Sequence, residues 1–255
     1  PILSLMKWED VGMVLSARKF SERDAIVTVL TREHGLWRAM VKGALSHKHR
    51  ALYEPGNLLL ARWNARLAEH MGNFSCELLE QNAAMIMQDK LSLSMLGAMT
   101  ALLEGCFEER DPHPVLFEWV KAMVEMLAGA GTPAAEIWKR YALFEKFLLA
   151  EAGYGLDLSR CAATGGVENL VYISPKTGRA VSAEAGAPYH GRMLSFPRLY
   201  KEEGFMPKSA ETLDALRVSG YFLTHWLYAP RDRNLPPVRQ RLVEWIEKEC
   251  LLVSA

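Results

Sequence analysis

Between Arg32 and Arg66 the sequence sets Arg32, Arg38, Lys42, Lys48, Arg50, Arg62 and Arg66 against only Glu33 and Glu54, a local excess of five positive charges. Clustering of this kind suits the phosphate backbone of a nucleic acid, because neutralising phosphates releases condensed counterions. Trp37, Tyr53, Trp63 and Phe74 are interleaved with these cations and are of the type that stacks on bases. The competing reading is that the rings fill a core and the charges are merely solvated. Core is the stronger reading for Trp37, which shares a strand face with Ala39 and Val41, and for Trp63, which shares one with Leu59 and Ala61. For Arg38 and Lys42, on the opposite face, binding and solvation both stand open.

Other chemistry finds little support. The sequence has no Gly-x-x-x-x-Gly-Lys-Ser/Thr phosphate loop, no Gly-x-Ser-x-Gly elbow and no His-Glu-x-x-His pair. His47 and His49 are close enough to suggest a metal, but Ser46, Lys48 and Arg50 make that loop solvated and cationic, which disfavours a divalent ion and favours a phosphate. The pattern is that of a binding protein without catalytic residues, metal or cofactor.

The elements that must position these residues change character along the chain. GMVLSARKF, DAIVTVLTR, GLWRAMVKGA, PGNLLLARWNA and FSCELLEQN alternate at period two and are separated by turn residues, predicting five strands within about eighty residues. That number fits a small closed barrel of the OB type. From Lys90 the period becomes helical. Leu96, Met99, Leu103 and Phe107 form one stripe, and Leu116, Val120, Met123 and Leu127 form another. Pro133 opens a third helix through Ile137, Tyr141, Phe144 and Leu148, which Gly153 should close. Between 154 and 207 the pattern weakens to one short strand-like run, Leu170 to Ser174, before helices return through Leu213–Leu227 and beyond Pro236-Pro237. The fold class expected is therefore α+β: an OB-type barrel over 6–82, then an α-helical domain over 83–255 with a small β insertion near 156–208.

Half of the residues are hydrophobic, and 30 basic residues balance 30 acidic ones, so affinity for a polyanion must come from local clustering. Cys76, Cys106, Cys161 and Cys250 are scattered, and no apolar run is long enough to span a bilayer, which points to a reduced, cytoplasmic setting. Residues 1–5 show no pattern of their own and stay outside the fold argument.

Three stretches carry a family resemblance. EDVGMVLSARKFSERDAIVTVLTREHGLWRAMVKGA (9–44) resembles the N-terminal barrel of the RecO recombination mediators. LFEKFLLAEAGYGLDLSRCAATG (143–165) resembles the helix and turn leading into that family's metal-ribbon-like insertion, and NLPPVRQRLVEW (234–245) its closing helix. The resemblance implies a non-catalytic, nucleoid-associated protein that binds single- and double-stranded DNA and anneals complementary strands. It also implies partnership with RecR, contact with the acidic C-terminal tail of the single-stranded-DNA-binding protein, and help in loading RecA. Members that bind zinc carry two Cys-x-x-Cys pairs; here Cys161 is followed by Thr164, and the second pair falls near Ser182 and Ala185, so no zinc is expected. The tail should meet an apolar groove with a cation at its rim, for which Lys139, Arg140 and Lys146 are the candidates. Glu136 and Arg140, at i and i+4, can instead pair on a solvated helix face. A second hypothesis is a protein-interaction scaffold whose barrel docks a partner chain.

Overall fold

The computed structural model describes residues 6–253. Contacts divide the chain into two compact units, 1–132 and 133–255.

The first unit is built on a closed five-stranded barrel: β1 (Met6–Lys19), β2 (Ala25–Thr31), β3 (Gly35–Val41), β4 (Leu58–Ala65) and β5 (Asn73–Glu80), in the order β1-β2-β3-β5-β4. β1 serves two neighbours. Residues 6–13 pair with β4 and 12–19 with β2, with a register shift between Val14 and Ser16 that lets one strand turn the corner. A parallel bridge between Met40 and Asn73 closes the barrel. Alternation sends Val27, Val29, Trp37, Ala39, Val41 and Trp63 inward, as the period of two requires.

β1 begins six residues before the predicted run, because MKWEDV does not look like a strand. Asp10 sits in it, 7 % exposed, and is tolerated because Glu33 N–H (2.7 Å), Val11 N–H (2.8 Å) and the His34 ring (3.1 Å) all reach its carboxylate.

Met13, Leu15, Leu30 and Leu36 lie outside the barrel core yet are buried. Helices α1 (Ala83–Ile86), α2 (Lys90–Cys106) and α3 (Pro114–Ala128) belong to the same unit, with α2 packed on β1 and α3 on β2. Asn57 ties barrel to helices. Its Nδ2 donates to the carbonyls of Ala51 (2.8 Å) and Leu52 (3.2 Å), while its Oδ1 accepts from the N–H of Ala83 (3.0 Å) at the start of α1.

The second unit contains α4 (Ala134–Glu151), the short strands β6 (Leu170–Ile173), β7 (Ala180–Ser182) and β8 (Leu194–Ser195), the short α5 (Ala183–Gly186), α6 (Ser209–Phe222) and α7 (Pro237–Val253). Pro133 caps α4 and Gly153, at φ +85°, ends it. The predicted run at 170–174 is the middle strand of a sheet in the order β7-β6-β8. Strands of three and two residues are too short to show a period. Glu145 of α4, Ser219 of α6 and Arg239 of α7 form a buried knot. Arg239 grips Glu145 through Nε (3.0 Å) and Nη2 (2.9 Å), Ser219 donates to the same carboxylate (2.5 Å), and Gly220 has no side chain where Arg239 lies. Burial opposes the Arg239 charge, but the Glu145 carboxylate outweighs it and raises the guanidinium pKa.

Candidate nucleic-acid interface

The cations of the 32–66 stretch separate into two groups. Arg32 pairs with Glu118 of α3 (2.8 Å), Arg38 with Glu109 (3.1 Å) and more distantly Glu104 (3.9 Å), and Arg62 with Glu9 and Glu77. Lys42, Lys48, Arg50 and Arg66 are exposed and make no ion pair among the described residues. Three arginines are thus already neutralised, while the others remain available to an outside anion.

Pairing in the barrel shows which free cations stand together. Lys19 is opposite Ala25, and Ala25 is opposite Val41, so the β1–β2 turn and the segment after β3 lie at one end of the barrel. Asp24 binds them: its Oδ1 accepts from the N–H of Gly43 (2.8 Å), and the Leu45 N–H donates to the Arg23 carbonyl (2.9 Å). The Gly43 bond, with a second from Ser21, holds the Asp24 carboxyl below its ordinary range. Lys19, Arg23, Lys42, Lys48 and Arg50 therefore share one rim, against Glu22, Asp24 and Glu54. Lys19 and Arg23 lie outside the 32–66 cluster in sequence; only the hairpin register brings them to it. Arg66 follows the far strand β4, past the position paired with Met6.

The aromatic residues divide too. Trp37, Tyr53, Trp63 and Phe74 are all buried. Trp37 and Trp63 meet edge to face at 5.0 Å, with Trp8 against both, and the Trp63 indole donates to the Met71 carbonyl (2.8 Å). They hold the barrel and offer no face to a base. The ring on the rim is Phe20, 61 % exposed between Lys19 and Arg23. A groove runs from Lys42 and His49 past Asn64, Asn73 and Ser75, supplying amide and hydroxyl groups beside the cations.

In the second unit Lys139 and Arg140 both turn to Glu136, at 4.0 and 2.8 Å, so the i,i+4 pair forms. Lys146 stands apart, its ammonium 5.0 Å from the Tyr200 ring centre, and burial lowers its pKa.

The structure also brings together the positions of the degenerate ribbon. Cys161 Sγ lies 3.5 Å from Ser182 Oγ and accepts from the Ser182 N–H (3.3 Å), while Ser182 Oγ accepts from the Ala185 N–H (3.4 Å). Hydrogen bonds from Thr164 first and then Ser182 hold the Cys161 thiol down to about 6. One thiol, two hydroxyls and a methyl do not fit a tetrahedral zinc site, and no group of three His, Cys, Asp or Glu among the described residues could hold a metal.

Residues 6–82 match the family model of the recombination protein O N-terminal region, and residues 87–234 that of its C-terminal region. The chain belongs to the RecO family. It is similar to the DNA repair protein RecO of Granulibacter bethesdensis, 39 % identical over 248 residues covering 94 % of this chain and 96 % of that protein. The RecO of Mesorhizobium japonicum is 41 % identical over 244 residues, covering 95 % and 94 %, and that of Rhodospirillum rubrum 39 % over 246, covering 96 % and 98 %. These are DNA repair proteins by name, and membership of the RecO family places the chain in DNA repair. The junction of the two RecO models falls between 82 and 87, just after β5, whereas the compact units divide at 132, since α1–α3 pack with the barrel. Among the described residues no helix is long and apolar enough to cross a membrane.

Proposed function

We propose that the chain is a non-catalytic recombination mediator that binds single- and double-stranded DNA, anneals complementary strands and, with RecR, helps to load RecA. The observation that carries the DNA-binding part is the rim of five exposed cations around Phe20, none in an ion pair among the described residues, fastened by Asp24 to Gly43. Cations at that density meet phosphates without first breaking an internal ion pair, and Phe20 supplies a stacking face. Arg66 extends the positive surface, while Arg32, Arg38 and Arg62 must exchange a carboxylate for a phosphate to take part. RecR, RecA and the acidic tail of the single-stranded-DNA-binding protein enter through family membership.

The test is a salt titration of oligonucleotide binding. With Lys42, Lys48 and Arg50 changed to Glu, the slope of log K against log salt for a single strand should flatten by about 0.7 per lost contact, roughly two in all. An unchanged slope and affinity would remove this rim from the interface.

A second reading, a barrel that docks a partner protein, is favoured by Leu78, Leu79, Met85 and Met87, apolar side chains of β5, α1 and its C-cap that are 39 to 49 % exposed. Under that reading the triple variant keeps its partner in a pull-down with purified RecR, and the wild type shows no salt-dependent affinity for DNA.

A further inference from the structure

We infer that residues 66–70, between β4 and β5, are a strap that opens as a unit while the barrel stays closed, and that the Arg110 side chain is its latch. Both ends of the strap are fixed. Ala65 before it pairs with Met6. After it, the Met71 carbonyl accepts from the Trp63 indole (2.8 Å) and the Gly72 carbonyl from the Met40 N–H (3.1 Å). Gly72, at φ +69°, lies so close to Trp63 and Asn64 that a Cβ would collide with both, so the chain cannot slide there. Between these anchors the strap has little of its own. Arg66 to His70 are all exposed, and the one backbone bond within the strap among the described residues runs from the His70 N–H to the Leu67 carbonyl (3.2 Å). A segment with so few buried contacts belongs to the low end of local stability.

The middle of the strap is held from outside. Arg110 donates through Nη1 to the Ala68 carbonyl and through Nη2 to the His70 carbonyl (3.0 Å), and its guanidinium lies 4.5 Å over the Trp37 ring. A planar fork fixes two carbonyls at once, which the single ammonium of a lysine does less well. The chain is arranged around this grip. Arg110 takes φ +68°, a left-handed conformation that a residue with a side chain adopts only where its surroundings hold it. Its own N–H donates to the Leu36 carbonyl of β3 at 2.8 Å, which lays residues 109–111 along that strand. Gly35, at φ +70°, leaves room for them, because a Cβ there would collide with the Asp111 carbonyl. The latch is thus mounted on the barrel, and the strap depends on it rather than on contacts of its own.

Glu69 of the strap stands beside Met71 on the border of an open concavity of about 360 Å³, which Ile26 and Thr28 of β2 also line. Opening takes Glu69 off that border while Met71 stays pinned by Trp63. The strap is therefore a gate whose position sets the width of the concavity. This inference does not depend on the DNA-binding reading, since the strap opens or fails to open in the protein alone.

The experiment is limited chymotryptic cleavage of the full chain after Leu67, across a urea series below the unfolding midpoint, for wild type, Arg110→Lys and Arg110→Gln. Cleavage through a local opening tracks the open population and depends weakly on urea, because little surface is exposed; cleavage through barrel unfolding rises as steeply as global unfolding does. The wild type should show the weak dependence. Arg110→Gln should be cut about tenfold faster at every urea concentration, the scale of one lost charge-assisted contact, and Arg110→Lys by a smaller factor. Cleavage after Tyr189 in the second unit, 56 % exposed, should stay unchanged and serves as the internal reference. A wild-type rate that climbs with urea as global unfolding does would overturn the inference, as would wild-type cleavage in an Arg110→Gln protein of unchanged melting temperature. If Arg110→Gln fails to fold, Arg110→Lys decides, and cutting at the wild-type rate there overturns the inference equally.

Discussion

At the residue scale, Glu145 is the least replaceable polar group in the second unit. Removing it by Glu145→Ala leaves Arg239 charged and buried, which should cost about 3–5 kcal/mol in denaturant unfolding, whereas replacing both partners with apolar residues should recover most of the loss. Periodicity could not announce this pair, because its members are 94 positions apart and Glu145 sits in an otherwise apolar stripe. Cys161 gives a second expectation. A thiol held down to about 6 contributes stability that is fully present above the ordinary thiol value of roughly 8.5 and is lost as pH falls through about 6. The melting temperature should therefore decline from pH 9 to pH 6 by more in the wild type than in Cys161→Ala. Trp37 and Trp63, by contrast, were legible from alternation alone. The structure puts both in the barrel core.

At the element scale, β3 was legible because alternation and burial agree from Trp37 to Val41. The first half of β1 was not, because Glu9 and Asp10 hide a strand whose buried acid is satisfied by groups that lie more than twenty residues away. The insertion was half legible. Its middle strand showed, but its outer strands did not, and its folding around Cys161 depends on bonds that no motif marks: the Cys161 N–H donates to the Gly166 carbonyl, the Ala162 N–H to the Ala180 carbonyl and the Ser182 N–H to the Cys161 sulfur. For α4 the separation of cations leads to a prediction about the tail of the single-stranded-DNA-binding protein. Since Lys139 and Arg140 share Glu136, and Lys146 has no carboxylate partner among the described residues, Lys146→Glu should weaken binding of a fluorescent tail peptide about tenfold, and Arg140→Glu much less. Equal effects would move the receptor off this face.

At the scale of the molecule, a formal charge of zero conceals a division between cations that are spent internally and cations that are free. Only the free ones release counterions without first breaking an ion pair, so the five rim cations should contribute roughly 3.5 to the salt slope for a single strand. Composition showed the balance but not its partition, which depends on Glu104 and Glu118 reaching the barrel from α2 and α3 and on Glu109 reaching it from the segment between them.

The doubly paired β1 has a consequence for how the chain assembles. Its second half joins β2 across a turn of five residues, Lys19 to Ala25, but its first half must wait for β4, with Lys7 meeting Asn64. Contacts so distant in sequence form late, because the intervening chain loses its freedom before they reward it. The consecutive strands β1–β2–β3, which carry Lys19, Phe20 and Arg23 and lead into Lys42, can thus form while the barrel is still open, and closure by Trp8 and Trp63 comes last. On a growing chain, the cationic rim proposed to meet DNA would be shaped before the core that supports it is sealed.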